Sequence, residues 1–458
     1  MTQRTFFVKT FGCQMNERDS EIMSQSLSMH GYVEGMDLES ADLVILNTCS
    51  IRAKAEQKVM SLLGMLRKVK LAKPDMQICV AGCVAQQEGE HLLERMPHVD
   101  LVVGTQNIYN IGELLDLART RPGYVAVAMQ ENYDIPRLMP ARNEKISERL
   151  QAGDDVKLSK SAVFRKFVTI MQGCNNYCAY CVVPYTRGRE ISRKVNDIIE
   201  EVKVLVESGV KEITLLGQNV NSYGKTNIVT ENGLPCSFAD LLHKVAETEG
   251  LARLRFTTSN PKDLSDELMR SFRDIPSLCP QFHLPVQAGS DAVLKRMNRK
   301  YSVAQYLDLV DRLREYCPEI ALSTDIIVGF PGETEEDFQG TMDLLDKVRY
   351  HGSFSFKYSD RPGTRASDFS DKVTEEVKTA RLMRFQSRQD EISLERNREY
   401  IGRVKDIMVE DVGPESLKGR TDTNHIVHLH EHVVAKPGDF IDVEIYHAGQ
   451  HSLKGKIV

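Results

Sequence analysis

Short apolar runs alternate with amphipathic stretches through most of the chain. Between residues 4 and 120 the runs Thr5–Lys9, Asp42–Asn47, Gln77–Ala81 and Asp100–Val103 have strand length and β-rich composition. Asn16–His30 and Arg52–Leu71 carry apolar residues at helical spacing instead. Strand then helix, repeated, predicts βαβ crossovers and a parallel sheet. From 121 to 160 the pattern lapses, with Pro122, Gly123, Pro136, Pro140 and Gly153 set in charged sequence, which reads as a linker. A second alternation runs from Phe164 to about Ser359. Its strands are Phe167–Met171, Glu212–Leu216, Arg253–Thr257, Gln281–Pro285, Ala321–Val328 and Ser353–Tyr358, with helices such as Asp197–Ser208, Phe238–Thr248 and Val303–Tyr316 between them. Six strands fit an incomplete (βα)6 barrel better than a full eightfold one. After a charged helix over about Thr374–Tyr400, glycines punctuate β-rich runs such as Ile426–Leu429 and Phe440–Ile445, as in a small barrel. The expected class is α/β, with an N-terminal parallel-sheet domain (4–120), a linker (121–160), a partial barrel (161–392) and a C-terminal β-barrel (393–458).

A length of 458 residues agrees with about three domains. With 41% hydrophobic and 27% charged residues the chain has enough apolar surface to fold and is not a disordered polymer. No apolar run approaches the roughly 18 residues of a membrane span, and Met1-Thr2-Gln3-Arg4 lacks the apolar core of a secretion signal. A cytoplasmic protein with no membrane role is expected. The charge balance, 59 basic against 65 acidic residues, leaves −6, so any nucleic-acid site must be a local patch. Two stretches qualify: Arg187, Arg189, Arg193 and Lys194, then Lys295, Arg296, Arg299 and Lys300. Both lie in or near connections after strands, where phosphate contacts would position an RNA.

Ten cysteines in a reducing compartment point to metal ligation or catalysis rather than disulfides. The sharpest cluster is Gly173-Cys174-Asn175-Asn176-Tyr177-Cys178-Ala179-Tyr180-Cys181, directly after the first barrel strand, where barrel active sites lie. Three thiolates can hold three irons of a [4Fe–4S] cubane and leave the fourth open to a small molecule. A structural zinc is the competing reading, but it needs a fourth ligand, and no histidine lies between Gly153 and Leu242. A second set is dispersed: Cys13, Cys49 and Cys83 each follow a strand of the first domain. Parallel strands end on one edge, so these three can converge as ligands; they can also be buried thiols of tight βα turns. Their polar contexts, Gly12-Cys13-Gln14, Thr48-Cys49-Ser50 and Gly82-Cys83-Val84, favour ligands. Cys79, Cys236, Cys279 and Cys317 read as structural. His428, His430 and His432 share a strand face without a cysteine or acidic partner, which favours a polar barrel face over a metal site.

CxxxCxxC with an aromatic residue, Tyr180, before its last cysteine resembles the signature of radical S-adenosylmethionine (SAM) enzymes. Three segments extend the likeness to the methylthiotransferase family over nearly the whole chain. They are Gly12-Cys13-Gln14-Met15-Asn16 with Asn47-Thr48-Cys49-Ser50-Ile51-Arg52, Gln172-Gly173-Cys174 through Pro184-Tyr185-Thr186-Arg187-Gly188-Arg189, and Lys418-Gly419-Arg420-Thr421-Asp422, which looks like an RNA-binding TRAM module. The first two cysteine motifs are most similar to the branch acting on isopentenylated adenosine beside the tRNA anticodon.

The resemblance implies two [4Fe–4S] clusters, a catalytic one on Cys174, Cys178 and Cys181 and an auxiliary one on Cys13, Cys49 and Cys83. It implies SAM as both radical source and methyl donor, with C–H activation at adenine C2, sulfur insertion and methyl transfer at position 37. Gly217, Gln218 and Asn219, after the second barrel strand, occupy the place where related enzymes contact SAM, and Gly329 lies in a turn that can pack on adenine; both segments also read as plain βα turns. The implied partners are a tRNA with isopentenylated adenosine and an electron donor of the flavodoxin or ferredoxin type; no motif indicates the sulfur donor, and a monomer is expected. Two rivals stand beside this reading: a methylthiotransferase for threonylcarbamoyladenosine or a ribosomal protein, and a non-catalytic metal-containing RNA-binding protein.

Overall fold

The computed structural model describes residues 3–50, 53–130, 133–137, 164–227, 229–231, 234–413, 416–430 and 434–458. Most of the expected linker, with Pro140 and Gly153, lies outside the described residues, as do Ile51, Arg52 and His432.

The first sheet has six parallel strands in the order β2-β1-β3-β4-β5-β6: β1 (Thr5–Thr10), β2 (Val33–Glu34), β3 (Leu43–Thr48), β4 (Gln77–Gly82), β5 (Leu101–Val103) and β6 (Tyr124–Ala126). Successive side chains of its central strands go to opposite faces, as the two-residue period requires. Leu43, Ile45, Cys79 and Ala81 pack with Ile22, Met23 and Leu27 of the helix Gln14–Met29 on one face. Val44, Leu46, Ile78 and Val80 pack with Val59, Leu63 and Leu66 of the helix Ala53–Ala72 on the other. Cys79 is thus a core thiol, as its strand context indicates. β6 extends the sheet into the segment read as a linker.

Six parallel strands form the central unit, split into two sheets of three. One is β13-β10-β7, from β7 (Arg165–Thr169), β10 (Glu212–Leu216) and β13 (Arg253–Phe256); the other is β14-β15-β16, from β14 (Gln281–His283), β15 (Ala321–Val328) and β16 (Gly352–Lys357). Backbone bonds Leu254 N to Ser277 O (2.8 Å) and Cys279 N to Leu254 O (2.9 Å) join the sheets into an open barrel around one apolar core. Small pairs β8 (Met171–Gln172) with β9 (Ile191–Ser192) and β11 (Thr230–Glu231) with β12 (Leu234–Pro235) decorate it.

The tail is a closed barrel β17-β18-β19-β21-β20, from β17 (Val404–Val412), β18 (Leu417–Thr421), β19 (Ile426–Leu429), β20 (Phe440–Ala448) and β21 (Leu453–Ile457). Two arginines of β13 fix it to the open barrel. Arg253 donates to Arg420 O (2.7 Å) and Asp406 O (3.0 Å), and Arg255 donates to Asp422 O (2.7 Å) and Thr421 O (3.0 Å). No helix among the described residues is long and apolar enough to cross a membrane.

Candidate metal and cofactor sites

Register brings the dispersed cysteines to one edge. Thr10 of β1 pairs with Asn47 of β3, and Thr48 of β3 with Gly82 of β4, so Cys13, Cys49 and Cys83 leave the C-terminal ends of three adjacent strands. Cys13 stands before the helix Gln14–Met29, and Cys83 opens the helix Cys83–Glu88. Gly12, at φ +148°, has no room for a side chain, since a Cβ there would meet Cys49 Cβ at 2.6 Å. The asparagines of the two motifs lock the turns together. Asn16 Nδ2 donates to Asn47 Oδ1 and Thr48 O (both 2.9 Å), and Asn47 Nδ2 donates back to Asn16 O (2.8 Å).

The electrostatics of this edge differ from one cysteine to the next. The Cys13 thiol is lowered to about 6, first by its hydrogen bond with Cys49, then by Arg187 and by Asn16, against the opposing effect of burial. Burial pushes Cys83 up, with Arg187 pulling the other way. Arg187 comes from the central unit. Its Nη2 donates to Asp19 Oδ2 (2.5 Å), both side chains are buried, and its charge reaches Cys13 and Cys83. A buried guanidinium beside thiols stabilises their deprotonated form.

Cys174, Cys178 and Cys181 lie on the loop after β8, within electrostatic reach of one another. Burial pushes Cys174 up to about 11 and Cys181 up to about 12, so the bare site favours thiols and a bound cation would be needed to draw out the protons. Arg299 Nη1 donates to Cys178 Sγ at 3.4 Å. Gly173, at φ +81°, is pressed onto the Arg187–Arg189 segment: a Cβ there would lie 2.1 Å from Arg189 O. Cys174 N donates to Gly188 O (3.2 Å). Among the described residues no three His, Cys, Asp or Glu side chains are arranged to hold a single metal ion. Ligands of a cubane bind three different irons and need not converge on one point.

The other expected cofactor residues divide by what they touch. Gln218 Oε1 accepts from Gly173 N (2.6 Å) and so holds the cysteine loop. Gly217 packs on Met171. Gly329 N donates to both carboxylate oxygens of Glu333 (3.0 Å each). Tyr180 packs against the core beside Arg299, Cys178 and Cys181. Asn219 differs: Nδ2 donates to Asp263 (2.8 Å), while its buried Oδ1 has no hydrogen-bond partner. Buried Gln172 Nε2 and Ser259 Oγ are in the same condition. Thr258 and Gln287, just past β13 and β14, have left-handed backbones (φ +72° and +78°), which mark strained strand ends on this rim. Orphaned donors and acceptors at the ends of β8, β10 and β13 fit a polar, zwitterionic ligand such as SAM. Gln172, Thr258, Ser259 and Gln287 carry no motif; only their position just past strands could have singled them out.

Four arginines expected on RNA are engaged within the chain. Arg187 is on Asp19; Arg193 is on Glu201 (2.7 Å) and Thr169 O (2.6 Å); Arg296 is paired with Asp371 (2.7 Å); Arg299 is on Cys178. Lys194 is paired with Asp134 (3.3 Å). Lys418 and Arg420 of the TRAM-like motif both meet Glu410. Charge alone could not distinguish an RNA contact from a structural ion pair. Arg189, Lys295 and Lys300 are exposed.

Comparison with known proteins agrees with this geometry. Residues 5–104 match the uncharacterized protein family UPF0004, 168–345 the radical SAM superfamily and 398–458 the TRAM domain. Proteins named tRNA-2-methylthio-N(6)-dimethylallyladenosine synthase are similar along the chain. That of Desulfotalea psychrophila is 62% identical over all of both chains; that of Geobacter sulfurreducens is 47% identical over 100% of this chain and 98% of its own. Among solved structures, the radical SAM methyltransferase TsrM from Kitasatospora setae shares the fold, with TM-score 0.57 and 14% identity over 80% of this chain and 75% of that one. This chain belongs to the methylthiotransferase family of radical SAM enzymes, in the branch of the tRNA-2-methylthio-N(6)-dimethylallyladenosine synthases.

Proposed function

We propose that this enzyme converts N6-isopentenyladenosine to 2-methylthio-N6-isopentenyladenosine at position 37 of tRNA, with Cys174, Cys178 and Cys181 holding the catalytic [4Fe–4S] cluster and Cys13, Cys49 and Cys83 a second, auxiliary one. One observation carries the reading: two cysteine triplets, one at the strand ends of the N-terminal parallel sheet and one on the loop after β8, share the Pro184–Arg189 segment as a common wall. The radical SAM family brings a [4Fe–4S] cluster and SAM, which together supply a carbon radical able to take hydrogen from an unactivated C–H such as adenine C2.

The chain's own residues do the positioning. Arg299 places a donor and a positive charge on Cys178. Asn219 Oδ1, Gln172 Nε2 and Ser259 Oγ present the polar contacts that orient SAM. Arg187 sets a positive charge near Cys13 and Cys83, partly offset by its partner Asp19, which favours anionic sulfur at those positions. The TRAM-like barrel, fixed by Arg253 and Arg255, adds RNA-binding surface beside the open barrel. An electron carrier of the flavodoxin or ferredoxin type supplies the electron, and the enzyme acts as a monomer in the cytoplasm. The relatives' names favour the isopentenylated substrate over threonylcarbamoyladenosine or a ribosomal protein.

Incubation of reconstituted enzyme, SAM and reductant with isopentenylated tRNA, followed by nucleoside mass analysis, tests this. The methylthiolated nucleoside should appear, and should not when threonylcarbamoylated tRNA is supplied instead.

A further inference from the structure

Two exposed tyrosines meet where the Cys174–Cys181 loop adjoins the wall that both cysteine sites share. Tyr177 lies between Cys174 and Cys178, and Tyr185 lies in the helical turn Val183–Thr186, two residues before Arg187. Tyr177 is 45% exposed and Tyr185 55%, so both rings present surface to solvent. They meet edge to face, with centroids 6.5 Å apart and planes at 77°. Tyr177 has a left-handed backbone (φ +46°), a costly conformation for a bulky residue. It is pinned there by Asn298, whose Nδ2 donates to Tyr177 O at 2.8 Å and to Asn176 O at 3.4 Å. Strain is thus retained in order to hold an aromatic ring out in solvent, a placement that core packing does not explain and that marks functional surfaces.

We propose that Tyr177 and Tyr185 form a stacking platform for a nucleobase of the tRNA anticodon loop. The proposal rests on the function given above and names how the substrate is held. An enzyme that works on an adenine edge must take that base out of its stack, and the bases left behind lose a neighbour. Aromatic side chains replace it, for any base, because every base has a π-face. An edge-to-face pair leaves ring faces open for such contact. Location favours RNA over an electron carrier. A carrier needs to approach only the Cys174 cluster, whereas the substrate must reach both triplets. Tyr185 stands on the segment whose Gly188 O holds Cys174 N and whose Arg187 reaches Cys13 and Cys83, and Tyr177 meets it from the cysteine loop itself.

The test uses the reconstituted holoenzyme and an anticodon stem-loop carrying isopentenyladenosine with fluorescent 2-aminopurine beside it. Wild type should bind the stem-loop and quench the probe. Tyr185→Ala should weaken binding about 5- to 150-fold, the range for loss of one base–aromatic stack, and restore fluorescence. Tyr185→Phe should keep affinity and quench, since stacking needs the ring and not the hydroxyl. Tyr185→Leu keeps apolar bulk without the π-face and should behave like the alanine variant even if that one folds poorly. Iron content and the thermal midpoint serve as folding controls and should match wild type. Wild-type affinity and quench in Tyr185→Leu would overturn the platform, and so would normal RNA binding with an increased requirement for flavodoxin, which would make the patch a carrier dock. Failure of the wild type itself to bind the stem-loop would overturn the functional reading and the platform together; a missing variant effect overturns the platform alone.

Discussion

Arg299 Nη1 donates to Cys178 Sγ across 3.4 Å, while its Nε donates to the Tyr301 hydroxyl (2.8 Å) and its Nη2 to Pro285 O (2.9 Å). The three bonds, with the ring of Tyr301 stacked 5.1 Å away, fix the guanidinium on one cysteine of the proposed catalytic cluster. A donor and a positive charge beside a cluster sulfur stabilise its more negative, reduced state.

Arg299→Met should therefore move the midpoint potential of that cluster to a more negative value, by several tens of millivolts; a one-electron couple moves by about 59 mV for each tenfold change in equilibrium. Arg299→Lys should fall between, since it keeps the charge but loses the fork that reaches three acceptors. A potentiometric titration followed by electron paramagnetic resonance reads this directly. An unchanged or more positive potential in the methionine variant would remove Arg299 from any role at the cluster.

The buried pair Arg187–Asp19 joins the N-terminal sheet to the open barrel. Asp19→Asn would leave the guanidinium buried without its counter-charge, beside Cys13 and Cys83. Removing one member of such a pair costs about 3–5 kcal/mol, and denaturant unfolding should show a loss of that order. A loss below about 1 kcal/mol would mean that the pair is solvated in solution.

His351 and His425 give the junction between the open barrel and the C-terminal barrel a pH dependence. Their rings meet edge to face at 5.7 Å. Burial lowers His351 to about 3, assisted by His425, Arg396 and Arg314. Burial also lowers His425 to about 4, with Lys405 and Arg420 adding to it against Asp422. Both rings are neutral in the folded state at pH 5, where the unfolded chain binds protons at its ordinary value near 6.5. The unfolded state then carries more protons, so stability falls as the pH drops below about 6.5 and continues to fall toward about 4 for His425 and about 3 for His351. Partial exposure moderates the effect to an order of 1–2 kcal/mol for each ring at pH 5. Unfolding curves at pH 7.5 and pH 5 should show the loss, and His425→Phe should remove about half of it.

With Arg187, Arg193, Arg296 and Arg299 engaged internally, phosphate contacts fall to the exposed cations. Lys295→Glu with Lys300→Glu should weaken tRNA binding and reduce its log–log salt slope by roughly two, at about 0.9 per phosphate. Arg296→Ala should change the slope little, because Arg296 is spent on Asp371 and on the ring of Phe369 at 5.1 Å. Filter binding across a salt series distinguishes the two sets.

Much of this architecture is legible in the sequence, for reasons that also explain what is not. β10 and β15 have the ends that their apolar runs indicate, and the positions of Cys13, Cys49 and Cys83 just after strands of a parallel sheet are enough to set them on one edge. β2, β6 and β8, two or three residues long, are too short to show a period and go unseen. The arginines mislead because a basic residue in sequence declares a charge but not its partner. Arg299 finds a cysteine 121 positions away, and Arg187 an aspartate 168 away, through tertiary packing alone. The orphaned Asn219 Oδ1 and the strained Thr258 are likewise products of packing and leave no motif.

The central claim is a division of labour between the two cysteine triplets. Its most direct test is one reaction run with two triple-alanine variants, scoring 5′-deoxyadenosine, methylthiolated nucleoside and iron together. Replacing Cys13, Cys49 and Cys83 should leave about four irons and continued deoxyadenosine formation, with no methylthioadenosine in the tRNA. Replacing Cys174, Cys178 and Cys181 should also leave about four irons, but abolish both products. Methylthioadenosine made by the first variant, or deoxyadenosine made by the second, would contradict the account.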